Sequence, residues 1–177
     1  LELVKAVKSK YEKIDVLFNN AGGAIKRYDI KEIDWKLIEE ILSLNTYSAM
    51  FLSSKLVPLL EKGDNPCIIN ITSVAMRNGS PSVAVYAASK GALDTFTRSL
   101  ARALAPKIRV NAIAPGVIDT PFHEKVTAPE RMKEFKDSIP LNILGEPHHI
   151  AEAVQFLIEN EFMTGATLDV NGGAFMY

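Results

Sequence analysis

The chain has 177 residues, 47% hydrophobic and 23% charged, with a formal net charge of −1, which describes one globular domain large enough for a real core. Acids and bases interleave, so nothing marks a nucleic-acid footprint or a polybasic membrane patch, and the apolar stretches stop well short of the ~20 residues that a bilayer requires. The single cysteine, Cys67, excludes a disulfide framework and a zinc site of Cys type, reads as a small buried core residue and fits a reducing, cytoplasmic compartment.

Short β-rich runs alternate with long helical patterns. Leu1–Tyr11 has the pattern of a helix end, with no charged-then-apolar leader before it. Ile14–Asn20 reads as a buried strand ending in the turn Ala21-Gly22-Gly23. Asp34 to about Leu60 is a long amphipathic helix with Asp34 as its N-cap. Cys67–Ser73 is a second strand and about Val83–Leu104 a second long helix. Ile108–Ala114 is a third strand, stopped by Pro115-Gly116. Residues 147–160 form a shorter helix led by Pro147, and Ala166–Val170 is a last strand closed by Asn171-Gly172-Gly173.

This alternation predicts an α/β fold with a Rossmann-like, doubly wound parallel sheet, of which about four strands are present. The one long irregular stretch, Asp119–Glu146, contains Pro121, Pro129 and Pro140 and a helix near 129–138. A connection of that length is a functional lid or a disordered segment. No glycine-rich loop precedes the first strand, although nucleotide-binding α/β folds hold a pyrophosphate there. The expectation is therefore that these residues are the carboxy-terminal part of a single longer domain, with Val16–Phe18 as an exposed sheet edge.

Tyr86-Ala87-Ala88-Ser89-Lys90 sets a phenol and an ammonium at i and i+4 on one helix face. A nearby cation favours the phenolate and draws its pKa down from about 10, so the pair can exchange a proton with a carbonyl or alcohol oxygen. The spacing alone is a weak signal, because tyrosine and lysine also meet there by chance. Ser73 ends the second strand, and carboxyl ends of parallel strands face the ligand crevice. A serine there can bond a substrate oxygen, or serve only as a turn or cap residue. Trp35, Ile38, Leu42, Asn45, Ala49, Leu52, Leu56 and Leu59 form one helical stripe in which Asn45 is the only amide. A buried amide without partners costs about 1–3 kcal/mol. Asn45 is then either a satisfied core residue or one that bonds a water or a main-chain group facing the site.

Taken in order, Asn19-Asn20-Ala21-Gly22, Asn45, Ser73, Tyr86-x-x-x-Lys90, Pro115-Gly116 and Thr164-Gly165 resemble the short-chain dehydrogenases/reductases over essentially the whole chain. Asp119-Thr120-Pro121-Phe122, Ile139-Pro140-Leu141 and Gly165–Gly173 are most similar to the 3-oxoacyl-carrier-protein-reductase-like and sugar-dehydrogenase-like members. The resemblance implies an NAD- or NADP-dependent enzyme acting on a small-molecule ketone or secondary alcohol, assembled as a homo-oligomer, most often a tetramer. It implies Tyr86 as general acid/base, Lys90 lowering its pKa and holding the nicotinamide ribose, Ser73 orienting the substrate carbonyl, and Asn45 holding a relay water. Asn20, Ala21 and Gly22 would line the adenosine ribose side. Pro115, Gly116, Ile118 and Thr120 would hold the nicotinamide, largely through main-chain atoms at Ile118.

Three other readings share the fold: a non-catalytic nucleotide-binding or assembly module, an inactive fragment, and an enzyme of epimerisation or dehydration. The complete set Asn45, Ser73, Tyr86 and Lys90 argues against the module, and the Pro-Gly and Gly-Gly patterns favour the simple reductases. The apolar residues Leu37, Ile41, Leu44, Phe51 and Leu60, with Ala92, Phe96 and Ala103, exceed what one sheet face can cover and predict a subunit interface.

Overall fold

Strands β1 (Val16–Asn19), β2 (Cys67–Ile71), β3 (Arg109–Pro115) and β4 (Thr167–Val170) pair in parallel, in the order β1-β2-β3-β4. The computed structural model describes residues 2–121, 123 and 127–176. Leu1 of the expected first helix, Phe122 and Val126 of the expected lid, and Tyr177 of the tail lie outside them. The helices are α1 (Glu2–Lys10), α2 (Trp35–Leu42), α3 (Ser48–Leu60), α4 (Ala75–Asn78), α5 (Ala84–Leu104), α6 (Pro129–Ser138) and α7 (Pro147–Glu159).

Strand alternation sends successive side chains to opposite faces, and each face is covered by helix. Ile68 and Val110 pack with Leu60 of α3 and Ala101 of α5. Cys67, Ile69 and Ile113 point the other way, against Leu157 of α7. The expected α/β, Rossmann-like layering is what the chain adopts. β2 and β3 are almost wholly buried, whereas Val16 and Phe18 on edge strand β1 are 38% and 40% exposed. The sequence had a strand over Ile14–Asn20, read as buried, with Val16–Phe18 as an exposed sheet edge; the strand is shorter, and that edge is open.

Asp34 caps α2 as expected, its carboxylate accepting from the Leu37 N–H at 2.7 Å. The long helix is not uniform, however. A π turn over Ser43–Tyr47 separates α2 from α3. Within this turn, one residue wider than an α turn, the Asn45 side-chain amide donates to the Ile41 carbonyl at 2.9 Å. That extra residue rotates the buried face. Before the turn, Leu37 and Ile41 are in the core while Trp35, the expected start of the stripe, is 76% exposed. Leu37, Ile41 and Leu60 therefore do not belong to an outer apolar face; Leu44 and Phe51 do.

Buried polar groups are paired throughout the described residues. Asn19 donates to Asn70 at 2.8 Å and Asn70 to Thr97 at 2.9 Å, tying β1 to β2 and to α5. The buried Arg109 donates to the carbonyls of Leu157, Ile158 and Asn160, closing the carboxyl end of α7 where the helix dipole favours a cation. No described helix is long and apolar enough to cross a membrane.

Candidate active site

The strand ends bring the expected residues into one place. Asn20 follows β1, Ser73 follows β2, Gly116 follows β3, and Tyr86 lies in the first turn of α5. All four line a single cavity of about 900 Å³, together with Gly22, Lys90, Pro115, Ile118 and Thr120. A cleft of this size, largely apolar with a few convergent polar groups, suits a cofactor and a small substrate.

Ser73 receives the Ala75 N–H at 3.1 Å and hydrogen-bonds the Tyr86 hydroxyl. Lys90, one turn further along α5, donates to the Ile71 carbonyl at 2.7 Å, and its ammonium is 5.8 Å from the Tyr86 ring centroid. Ser89 donates to the Tyr86 carbonyl at 2.7 Å, and Thr46 of the π turn donates to the Ser89 carbonyl at 2.9 Å. Two elements far apart in sequence are thus fixed to the turn that bears the phenol.

Burial dominates the electrostatics of the pair. It lowers the Lys90 pKa to about 8 and pushes the Tyr86 phenol up, a rise that the Ser73 hydrogen bond opposes.

Asn45 is 1% exposed and bonds the loop after β1 rather than lining the cavity. Its oxygen accepts from the Gly23 N–H at 2.9 Å and its amide donates to the Gly23 carbonyl at 2.8 Å. Bonded on both sides to the Gly23 main chain and to the Ile41 carbonyl, Asn45 is a satisfied buried amide that also holds the loop beside the site. Ala21 is exposed and absent from the cavity wall, since the turn carries it outward. Gly22 is where the chain needs a glycine. A β-carbon there would stand 2.7 Å from the Asn45 oxygen and 2.8 Å from the Lys90 nitrogen.

The cavity wall after Pro115-Gly116 is held by a bridge between Ile118 and Gly145, with the Asp119 N–H donating to the Gly145 carbonyl at 2.8 Å. Arg27 and His123 also line the cavity. Neither belongs to a periodic stripe or a recognisable motif, so the sequence offered no signal for them. The donor set fits the nicotinamide half of a dinucleotide: a buried ammonium, a close glycine main chain and the Pro115–Thr120 wall surround one cleft.

A family profile described as "Enoyl-(Acyl carrier protein) reductase" matches residues 1–174. The chain is 38% identical to 3-oxoacyl-[acyl-carrier-protein] reductase FabG of Thermotoga maritima over 180 residues, covering 97% of this chain and 70% of the relative. It is also 38% identical to NADPH-dependent aldehyde reductase 1, chloroplastic, of Arabidopsis thaliana, covering 97% of this chain but only 60% of that protein. Its fold superposes on a crystal structure from Brucella melitensis described as short-chain dehydrogenase/reductase SDR:glucose/ribitol dehydrogenase, with a TM-score of 0.92 and 33% identity over 99% of this chain and 71% of that one. By sequence and by architecture, the chain belongs to the short-chain dehydrogenase/reductase family of oxidoreductases.

Proposed function

We propose that this chain carries the reaction centre of an NAD(P)-dependent enzyme that interconverts a ketone and a secondary alcohol, with Tyr86 as general acid/base. The supporting observation is the convergence of Tyr86, Ser73 and Lys90 on one cavity at the carboxyl ends of the strands. A nicotinamide dinucleotide, when bound, supplies or accepts the hydride. In reduction the Tyr86 hydroxyl gives its proton to the substrate oxygen, and in oxidation the phenolate takes the alcohol proton. The Ser73 hydroxyl bonds the same oxygen and aligns it with Tyr86. The Lys90 ammonium stabilises the phenolate that forms and would hold the ribose of the nicotinamide cofactor. Asn45 holds the Gly22–Gly23 loop at the site and orders a water toward Lys90. Asn20 and Gly22 would line one side of the cofactor, and Pro115, Gly116, Ile118 and Thr120 the nicotinamide side; Ala21 would reach it only through main-chain atoms.

Asp119–Glu146 is the substrate lid of a single domain in this reading. Its α6 has no buried residue, whereas the neighbouring Ile139 is anchored in the core. The working form is a homo-oligomer, most simply a tetramer, in a reducing cytoplasmic compartment that suits the buried thiol of Cys67. The test mixes purified protein with NADH or NADPH and a panel of ketones and follows consumption of the reduced nicotinamide. Turnover lost in Tyr86→Phe is the expected result. Ketone-independent behaviour with both cofactors overturns the reading.

A further inference from the structure

The loop that follows β1 closes on the first turn of α5. The Lys26 N–H donates to the Ala24 carbonyl at 2.7 Å, closing a three-residue turn, and Ile25 at its centre has φ of 65°. A β-branched residue is rarely found there and persists only where its surroundings require it. Beyond the turn, Arg27 and Tyr28 lie against residues 82–85. The Arg27 guanidinium donates to the Ser82 hydroxyl at 2.7 Å, and the Tyr28 N–H donates to the Ser82 carbonyl at 3.1 Å. The Tyr28 hydroxyl oxygen accepts from the Val85 N–H at 2.7 Å. The residue after Val85 is Tyr86.

α5 needs an acceptor at that point. The first N–H groups of a helix have no intrahelical partner, and Val83, in the N-cap position of α5, provides no side-chain cap. The Tyr28 oxygen supplies that acceptor from another part of the chain. It does so from a sheltered place: Tyr28 is 5% exposed and packs with Leu37 and Ile41 of α2, while Ile33, Val85 and Tyr86 close the cluster. Tyr28 is not among the described residues that line the cavity. On the other side of the same turn, Thr46 bonds the Ser89 carbonyl and Ser89 bonds the Tyr86 carbonyl. The turn bearing the phenol is therefore fixed twice, by a bond to its leading N–H and by a relay to its carbonyl.

We propose that Tyr28 is a positioning residue for the reaction at Tyr86: its phenol oxygen clamps the Val85 N–H and so fixes the direction in which the Tyr86 hydroxyl meets the substrate oxygen. This deepens the reductase reading above and rests on it. The apolar contacts of Tyr28 are made by its ring, so the core has no need of the oxygen; the α5 turn does. Val85 and Tyr86 are consecutive, and the allowed rotamers of a side chain follow its backbone. Release of the Val85 N–H is therefore felt at the base of the Tyr86 side chain. Proton transfer needs heavy atoms about 2.6–3.2 Å apart, and a misplacement of about 1 Å can cost on the order of 100-fold in rate.

The experiment compares the purified full chain with Tyr28→Phe, which removes the oxygen and keeps the ring. It measures kcat and KM for the best ketone of the panel, with NADH and with NADPH, in ordinary and in heavy water. The expected result is a kcat lower by about 10-fold with unchanged KM for ketone and cofactor, the pattern of an interaction made only in the transition state. The solvent isotope effect on kcat/KM rises, because the exchangeable proton of Tyr86 then crosses a poorer alignment. A residue that only supported the fold would lower the active fraction and leave the isotope effect as it is. Amide exchange in the wild type adds a measurement that requires no variant. The Val85 N–H should be as protected as the amides within α5, whereas first-turn amides without an acceptor exchange freely. Tyr28→Phe with wild-type kcat, or with a lower kcat and an unchanged isotope effect, overturns the proposal and leaves the reductase reading standing. Rapid exchange at Val85 overturns it as well, whether or not the variant folds. Failure of the wild type to reduce any ketone with either cofactor removes the reductase reading and this proposal with it.

Discussion

A β-carbon added to Gly22 would stand 2.8 Å from the Lys90 nitrogen, and the same nitrogen is 2.7 Å from the Ile71 carbonyl oxygen. The ammonium is therefore clasped between the loop after β1 and the end of β2, with Asn45 bracing the loop from behind. Gly22→Ala should disturb the site more than the fold. The added methyl overlaps Lys90 and the Asn45 oxygen, and both belong to the proposed proton path. A displacement of about 1 Å at such a position can cost on the order of 100-fold in rate. The expected outcome is a 10–100-fold loss of kcat/KM with an unchanged circular dichroism spectrum. A variant as active as the wild type would show that the Gly22 loop and Lys90 are not coupled in catalysis.

Tyr86→Phe removes one oxygen and keeps the ring that packs beside Tyr28 and Ile41. The fold should survive, because the lost partner, Ser73, retains the Ala75 N–H as donor. General acid/base catalysis contributes about 10²–10⁴-fold. Turnover should fall by that factor while cofactor affinity changes little. Retention of more than about a tenth of wild-type activity would mean that Tyr86 is not the proton donor.

Lys90 is 2% exposed with a pKa of about 8, against 10.5 for an ordinary lysine. Between those values the unfolded chain binds the proton that the folded chain has released. Stability of the cofactor-free protein should therefore rise as pH increases from about 8 toward 10.5 on account of this residue. Below pH 8 the buried charge costs on the order of 3 kcal/mol, from the size of the shift. Lys90→Met should thus be more stable than the wild type at pH 7, by an amount reduced by the unpaired Ile71 carbonyl, and the advantage should shrink by pH 10. Tyr86 and Cys67, whose pKa values burial raises, oppose this trend at the alkaline end, but they are common to both proteins and cancel in the comparison. Denaturant midpoints at pH 7, 8.5 and 10 provide the check; parallel curves would refute the assigned shift. Activity should be lost in the variant at every pH.

Much of this was readable in the residues alone, for reasons that differ from element to element. β2 and β3 declare themselves because strands buried on both faces are continuous apolar runs. The helix bounded by Pro129 and followed by Ile139-Pro140 is marked by its own punctuation. Ser73, Tyr86 and Lys90 converge because parallel strand ends and the first turn of the next helix must share an edge. The π turn was hidden, since it depends on the Asn45 side chain finding both Ile41 and Gly23, a tertiary choice that no periodicity encodes. Without it the stripe was extended one residue out of phase, through Ile38 and Leu42 instead of Leu37 and Ile41. Arg27 was hidden for a similar reason: the turn at Ile25 that aims it into the cavity is a strained local shape set by packing.

The same phase shift revises the expected subunit interface. Leu37, Ile41 and Leu60 are consumed by the core, and the apolar side chains that α2, the π turn and α3 leave outward are Trp35, Leu44, Tyr47 and Phe51, 76%, 39%, 52% and 37% exposed. Ala92 and Ala103 on α5 are exposed as well, with Phe96 half-buried between their turns. Two long helices with open apolar faces suit a closed, two-fold contact between copies of the chain. Such a contact should bury well over ~1,000 Å². Phe162, wholly exposed after α7, and Met176 near the end of the chain offer a second apolar region that would take the dimer to a tetramer. Light scattering of the purified protein at micromolar concentration should give a mass of four subunits. Leu44→Asp combined with Phe51→Asp should reduce it, since the charges replace apolar contacts at the centre of the first face while both side chains lie outside the core. A wild-type monomer mass, or a double variant that assembles unchanged, would remove this face from the interface and leave the chemistry of Tyr86 unaffected.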